Sequence, residues 1–297
     1  RPEHPDSDRR AFRRPQSTSG PHPLKTAPHL TLPAIEYPDR LLAGLKELHL
    51  QEVGTVALSP TALSPLANLE RLTFLFFEHH GFSPSTLGGI ATLPSLTRLD
   101  LRLPQLRDDA VFEELSKAAG PLQLVLYGTP VTNRSLRSIA SIPRLTELHL
   151  DTGRFTAEGL ACLSYHPYLV NLLIDGGHAL SWKELPSGTV FSRVRSLSVA
   201  RELCAECDFA TVDLFPNLQH LALNRTTISE LAAKRLSRLR TLEQLTLTNV
   251  IVTLDTMREI AQQLPRLREL AIHKHAYSGS DFEALRQALN GGTLTGD

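Results

Sequence analysis

The sequence predicts a curved α/β solenoid with about ten parallel strands on its concave face and helices on its convex face. Three observations carry this expectation. An LxxLxL pattern, as in Leu145-Thr146-Glu147-Leu148-His149-Leu150, returns in ten frames beginning at Leu45, Leu69, Leu96, Pro121, Leu145, Leu169, Val194, Leu218, Leu242 and Leu267. The frames are 24 to 27 residues apart, a period that marks stacked repeats. Each frame holds two apolar residues spaced by two, and a helical pattern follows, so strand and helix alternate and the sheet is parallel.

Taken in order, the paired strand residues are Leu48 and Leu50, Leu72 and Phe74, Leu99 and Leu101, Leu124 and Leu126, and Leu148 and Leu150. Leu172 and Ile174, Leu197 and Val199, Leu221 and Leu223, Leu245 and Leu247, and Leu270 and Ile272 complete the set. Spacing of two buries one strand face. After the strands, Val131-Thr132, Phe155-Thr156, Ile228-Ser229 and Val252-Thr253 place a hydroxyl where a helix begins. There it can accept a hydrogen bond from a backbone N–H that the first helical turn leaves unpaired. The expected inner helix residues are Leu136 and Ile139, Leu160 and Leu163, Leu231 and Leu236, and Met257 and Ile260.

This combination resembles the leucine-rich repeat superfamily, of an intracellular or bacterial type, over about Leu45 to Leu289. The resemblance implies a non-catalytic protein-interaction module that binds its partner with the concave face. A substrate-recognition part of a ubiquitin ligase assembly and a bacterial effector acting on host proteins are the alternatives. Many members place Asn or Cys eight residues after the frame start. This chain has Val53, Phe77, Pro104, Thr129, Gly153, Gly177, Glu202, Thr226, Val250 and His275 there, so no asparagine ladder is expected and the turns must satisfy their backbone groups otherwise.

The ends differ from the array. Residues 1–28 read as a mobile Pro-rich and basic arm: eight of the 20 prolines fall at or before Pro38, and Arg9, Arg10, Arg13, Arg14 and Lys25 have no acid between them. Residues 29–44 read as an N-terminal cap, with His29–Leu32 as a short strand and Pro38–Gly44 as a short helix. Such a cap covers apolar surface that stacking leaves open. The repeats then run over 45–290, closed by a helix from about Asp281 to Leu289, and 291–297 read as a loose tail.

Equal numbers of basic and acidic residues, 31 of each, with no basic stripe along the strands, argue against nucleic acid. No apolar run is long enough to span a membrane. Three cysteines, Cys162, Cys204 and Cys207, cannot form paired disulfide caps, which suggests a reducing compartment, the cytoplasm of the producing cell or of a host cell. Cys204 falls where the repeat wants a buried side chain, and the pair lacks a second half for a zinc site. His79-His80 and His273-Lys274-His275 likewise lack partner ligands, and Phe74, Phe76, Phe77 and Phe82 read as a packing insert. No phosphate-binding, zincin or serine-nucleophile motif occurs, so neither enzyme nor cofactor is expected.

Function is therefore expected on the outward strand positions. The early strands offer Arg98, Asp100, Arg102, Tyr127, Glu147, His149, Asp151, Leu173 and Asp175 as partner-binding residues, a mix of aromatic, arginine and charge that suits a binding surface. The later strands offer mostly small residues. Asp151 and Asp175 share an outward offset on adjacent strands and are expected about 5 Å apart. Such a spacing suits a retaining glycosidase, but an open sheet keeps both carboxylates wet, so a partner Lys or Arg, or a cation, is the expected use.

Overall fold

A computed structural model describes residues 29–32, 47–52, 73–78, 90–107, 109–118, 120–175, 182–200, 212–274, 277–289 and 291–296. Their backbone forms one open sheet of twelve parallel strands in sequence order. The strands are β1 (His29–Leu32), β2 (Glu47–Glu52), β3 (Phe74–Glu78), β4 (Arg98–Arg102), β5 (Leu122–Leu126) and β6 (Leu145–Leu150). After them come β7 (Asn171–Ile174), β8 (Ser196–Ala200), β9 (His220–Asn224), β10 (Gln244–Thr248), β11 (Glu269–His273) and β12 (Thr293–Gly296). At about 4.8 Å per strand the sheet runs roughly 50 Å.

Ladder pairing sets Leu99 against Leu124, then Leu148, Leu172, Leu197, Leu221, Leu245 and Leu270. All of these leucines are buried in one continuous core. Helices on the other side close it: α1 (Asn133–Ala140), α2 (Ala157–Ala161), α3 (Glu230–Leu236), α4 (Leu254–Gln263) and α5 (Gly279–Ala288). The 3-10 helix Asp109–Lys117 does the same behind β4, burying Val111, Phe112 and Leu115. Between β7 and β9, where only short 3-10 turns occur among the described residues, aromatic rings fill the space instead. Phe191 stacks on Phe215 at 5.0 Å and Trp182 meets Phe215 edge-on at 5.6 Å.

The helix starts follow the hydroxyl signals with one variation. Thr132 accepts from the N–H groups of Arg134 and Ser135, Ser229 from Ala232 and Thr253 from Thr256. The Thr156 side chain makes no capping bond to its own helix. Asn133 of α1 does that work, its Oδ1 accepting from the Thr156 N–H at 2.8 Å while its Nδ2 donates to the Thr156 hydroxyl at 3.0 Å. The approach is close because Gly159 faces Asn133, and a Cβ there would lie 2.2 Å from the amide oxygen.

Three expectations need correction. The second frame begins at Leu72, not Leu69: Leu75 pairs with Leu48 and Leu99, and it is Leu75 that is fully buried. Two overlapping LxxLxF readings fit the letters, and only the ladder separates them. Leu231 is 51% exposed, because a helix starting at Glu230 turns Ala232, Ala233 and Leu236 inward instead. Residues Thr293–Gly296 are not a loose tail but strand β12, in register with Glu269–Ile272. The sheet thus holds two strands beyond the ten frames, β12 and the expected short strand at His29–Leu32, β1. The arm, the 38–44 helix, Cys204, Cys207, His79, His80, His275 and Phe82 lie outside the described residues.

The turns after β5, β9, β10 and β11 solve their backbone problem without an asparagine ladder. Seven residues into the corrected frames, Gly128, Arg225, Asn249 and Lys274 all have φ of 53° to 55°, the left-handed region that only glycine enters at no steric cost. One residue later Thr129 is fully buried, and its hydroxyl accepts from the Leu103 N–H at 3.0 Å while reaching the Tyr127 carbonyl at 3.1 Å. His166 is a further internal bridge, its Nε2 bonded to the Ile142 carbonyl at 2.7 Å and its Nδ1 accepting from the Tyr168 N–H.

Candidate functional site

The outward side of the sheet carries two main columns of side chains. Ladder pairing aligns Phe76, Asp100, Val125, His149, Leu173, Ser198, Ala222, Thr246 and Ala271 in one of them. Arg98, Gln123, Glu147, Asn171, Ser196, His220, Gln244 and Glu269 align in the other. Phe76 stands where the early frame assignment would have put Thr73, and it is half-buried.

Asp100 is the main departure from an open face, being only 2% exposed. Its carboxylate accepts a forked pair of bonds from Arg98, Nε at 2.8 Å and Nη2 at 3.1 Å. That fork pushes the Arg98 guanidinium further up from its ordinary value, against the opposing influence of its own burial. Beside it Val125 is 1% exposed. Both are closed off from solvent, so an outward register position here is not a solvated one. A buried carboxylate needs such a partner, since an unpaired charge in this setting costs several kcal/mol.

Next in the column, His149 is half-buried and meets Tyr127 edge-on, ring centres 5.5 Å apart. Burial pulls its imidazole below the ordinary histidine value, while Asp175, Asp151, Glu147 and Asp100 all act in the raising direction. Glu147 accepts from Asn171 Nδ2 at 3.1 Å. Asp151 turns back toward β5, accepting from the Gly128 N–H at 3.1 Å, so it helps to hold the left-handed turn there. Asp175 follows β7 at the equivalent position, its N–H donated to Leu150 as that of Asp151 is to Leu126.

Seven of the nine expected residues thus form one electrostatic neighbourhood around His149 and Arg98. Leu173 is a half-exposed apolar neighbour of His149 on the adjoining strand, and Arg102 is exposed at the end of β4. Phe76, Gln123 and Asn171 belong to the same surface and were legible only once the ladder fixed the columns. Among the described residues no group of three or more His, Cys, Asp or Glu is arranged to hold a metal ion, and no helix is long and apolar enough to cross a membrane.

No protein-family profile matches the chain, and no curated protein matches it. Solved structures do. The fold is similar to part of TLR13 in its complex with ssRNA13, with a TM-score of 0.55 and 21% identity over 87% of this chain and 36% of that one. Similarity also extends to an internalin, InlF, from Listeria monocytogenes (TM-score 0.41, 22% identity, 86% of this chain and 62% of that one). A third match is a complex of latrophilin 3, Unc5D and the repeat domain of FLRT2 (TM-score 0.47, 15% identity, 90% and 87%). The chain has the leucine-rich repeat fold.

Proposed function

We propose that this leucine-rich repeat chain is a non-catalytic binding module whose concave face, over β4 to β7, takes a basic segment of a partner protein. The observation that carries the reading is the charge balance around the Tyr127–His149 pair. Arg98 and Asp100 neutralise each other in a closed fork, which leaves Glu147, Asp151 and Asp175 as an acidic rim about two half-exposed rings and Leu173. Aromatic area ringed by partly desolvated charge is what concentrates binding energy at interfaces. An incoming Lys or Arg can be met by carboxylates on one side and ring faces on the other.

Selection from a random peptide library tests this. Peptides recovered on the wild-type chain are expected to be rich in Lys and Arg and to lose at least tenfold in affinity on Glu147→Gln with Asp175→Asn. They should lose as much on Tyr127→Ala, and nothing on Thr246→Gln in the later half. Recovered peptides without a basic bias, or with unchanged affinity for the early-half variants, would sink the assignment.

A further inference from the structure

At the strand-entry edge of the later repeats lies a hollow of about 280 Å³ lined by Ser192, Arg193, Arg195, Asn217, Gln219, Thr241 and Arg266. We propose that it is a binding site for a single phosphoryl group, a site distinct from the concave surface and independent of it. The lining holds three arginines and no carboxylate.

Four other exposed arginines are ion-paired: Arg134 with Glu113, Arg137 with Glu158, Arg238 with Asp213 and Arg286 with Glu283. Arg193, Arg195 and Arg266 make no such bond among the described residues. Unpaired positive charge gathered in a concavity focuses its field on whatever enters. The neutral residues brace the hollow. Asn217 Nδ2 and the Thr241 hydroxyl are fixed by the carbonyls of Ser192 and Leu218, at 2.9 and 2.7 Å, which holds the floor rigid. Ser192 and Gln219 line the same hollow, and a hydroxyl and an amide can both donate to an oxyanion. Guanidinium forks flanking such donors match a tetrahedral oxyanion in both charge and geometry.

The edge also says how much anion fits. Arg195 enters β8 and Arg266 precedes β11, three strand spacings or about 14 Å apart, so side chains can close on one group from opposite ends. The intervening repeats place neutral Asn217, Gln219 and Thr241 there, and Glu243 follows in the column of Arg195 and Gln219. A polyanion needs cationic contacts repeated along a track, and the charge does not continue. The phosphoryl group can be a phosphorylated side chain of a protein or a free phosphate compound.

Titration of the full chain at constant ionic strength separates these. The probes are inorganic phosphate, a short peptide with one phosphoserine, and its unphosphorylated form. One saturable phosphate site is expected, lost at least tenfold in Arg195→Gln with Arg266→Gln, with Tm and concave-face peptide binding unchanged. Arg195→Lys, which keeps the charge but not the fork, should fall between. A phosphopeptide at least tenfold tighter than inorganic phosphate identifies a phosphorylated protein as the source, and equal affinities identify a free phosphate compound. The proposal is overturned if no phosphate form saturates the chain, or if saturation is the same in the double variant. It is also overturned if a single-stranded oligonucleotide uses these arginines with a salt slope of several phosphates.

Discussion

Strands β4 to β7 and β8 to β11 bury the same inner pair of apolar residues, yet their outer faces are built in opposite ways. The early face is filled by its own side chains: Arg98 forks onto Asp100, Val125 disappears beneath its neighbours, and Tyr127 rests on His149. The later face is nearly bare, with Ser198, Ala222, Thr246 and Ala271 in the central column. On the inside, helices back the repeats on both sides, and the Trp182, Phe191 and Phe215 cluster makes up for the short turns between β7 and β9. A constant strand frame therefore leaves each region free to choose where its bulk goes, and only the early region uses that bulk to shape a charged surface.

The largest effect should come from removing that later filler. Phe215→Ala is expected to cost about 3–5 kcal/mol in urea unfolding, in line with aromatic deletions from packed interiors. A cost near zero would mean that the rings are not what supports β8 and β9. On the early face, Arg98→Ala strands the Asp100 carboxylate, and with Arg98 itself 29% exposed the expected cost is roughly 2–3 kcal/mol. Arg98→Met combined with Asp100→Leu should restore stability close to the wild type. Were the double variant as unstable as the single one, the fork would be needed for the fold and not only for charge balance.

Titration gives a smaller handle on the same contrast. Because burial lowers the His149 pKa in the folded chain, the unfolded chain binds more protons as pH drops below 6.5. Stability is thus fully present above the ordinary histidine value and declines as pH falls through the folded one. His149→Gln should flatten that part of the acid limb, measured as urea midpoints between pH 7 and 5. Thr246→His, on the bare face, should not add such a limb. The smallest effect belongs to the turns: Gly128 serves the early region, whereas Lys274 holds φ of 55° with a side chain attached. Lys274→Gly is expected to raise stability by up to about 1 kcal/mol, and a loss would show that its side chain supports the turn.

Much of this architecture was legible in the letters. The LxxLxL frames placed nine strands on their ladder positions, and Thr132, Ser229 and Thr253 marked helix starts by their hydroxyls. The misplaced frame at Leu69 shows the limit, since Leu69-Leu72-Phe74 and Leu72-Leu75-Phe77 are equally good alternations and register is settled by neighbours. Thr293-Leu294-Thr295 has a single apolar residue, too little to signal β12, which forms because β11 offers it a free edge. Period two tells which residues face outward but not whether neighbours then cover them, and so the burial of Asp100 was invisible. The arginine hollow left a trace in Arg193-Val194-Arg195 and Arg266-Leu267-Arg268, but these lie 73 residues apart in Arg193 and Arg266 and only stacking brings their edges to one side.

The central claim, that partners dock on β4 to β7 of the concave face, is tested most directly by photo-crosslinking from single positions. Benzoylphenylalanine would be placed at position 173 in one chain, at position 246 in a second and at exposed position 137 on α1 in a third. Each would be irradiated with the basic peptide recovered by library selection. The account predicts a crosslinked product from position 173 that is suppressed by Glu147→Gln with Asp175→Asn, and none from positions 246 or 137. Crosslinking from position 246 or 137 in the absence of any from position 173 would contradict it.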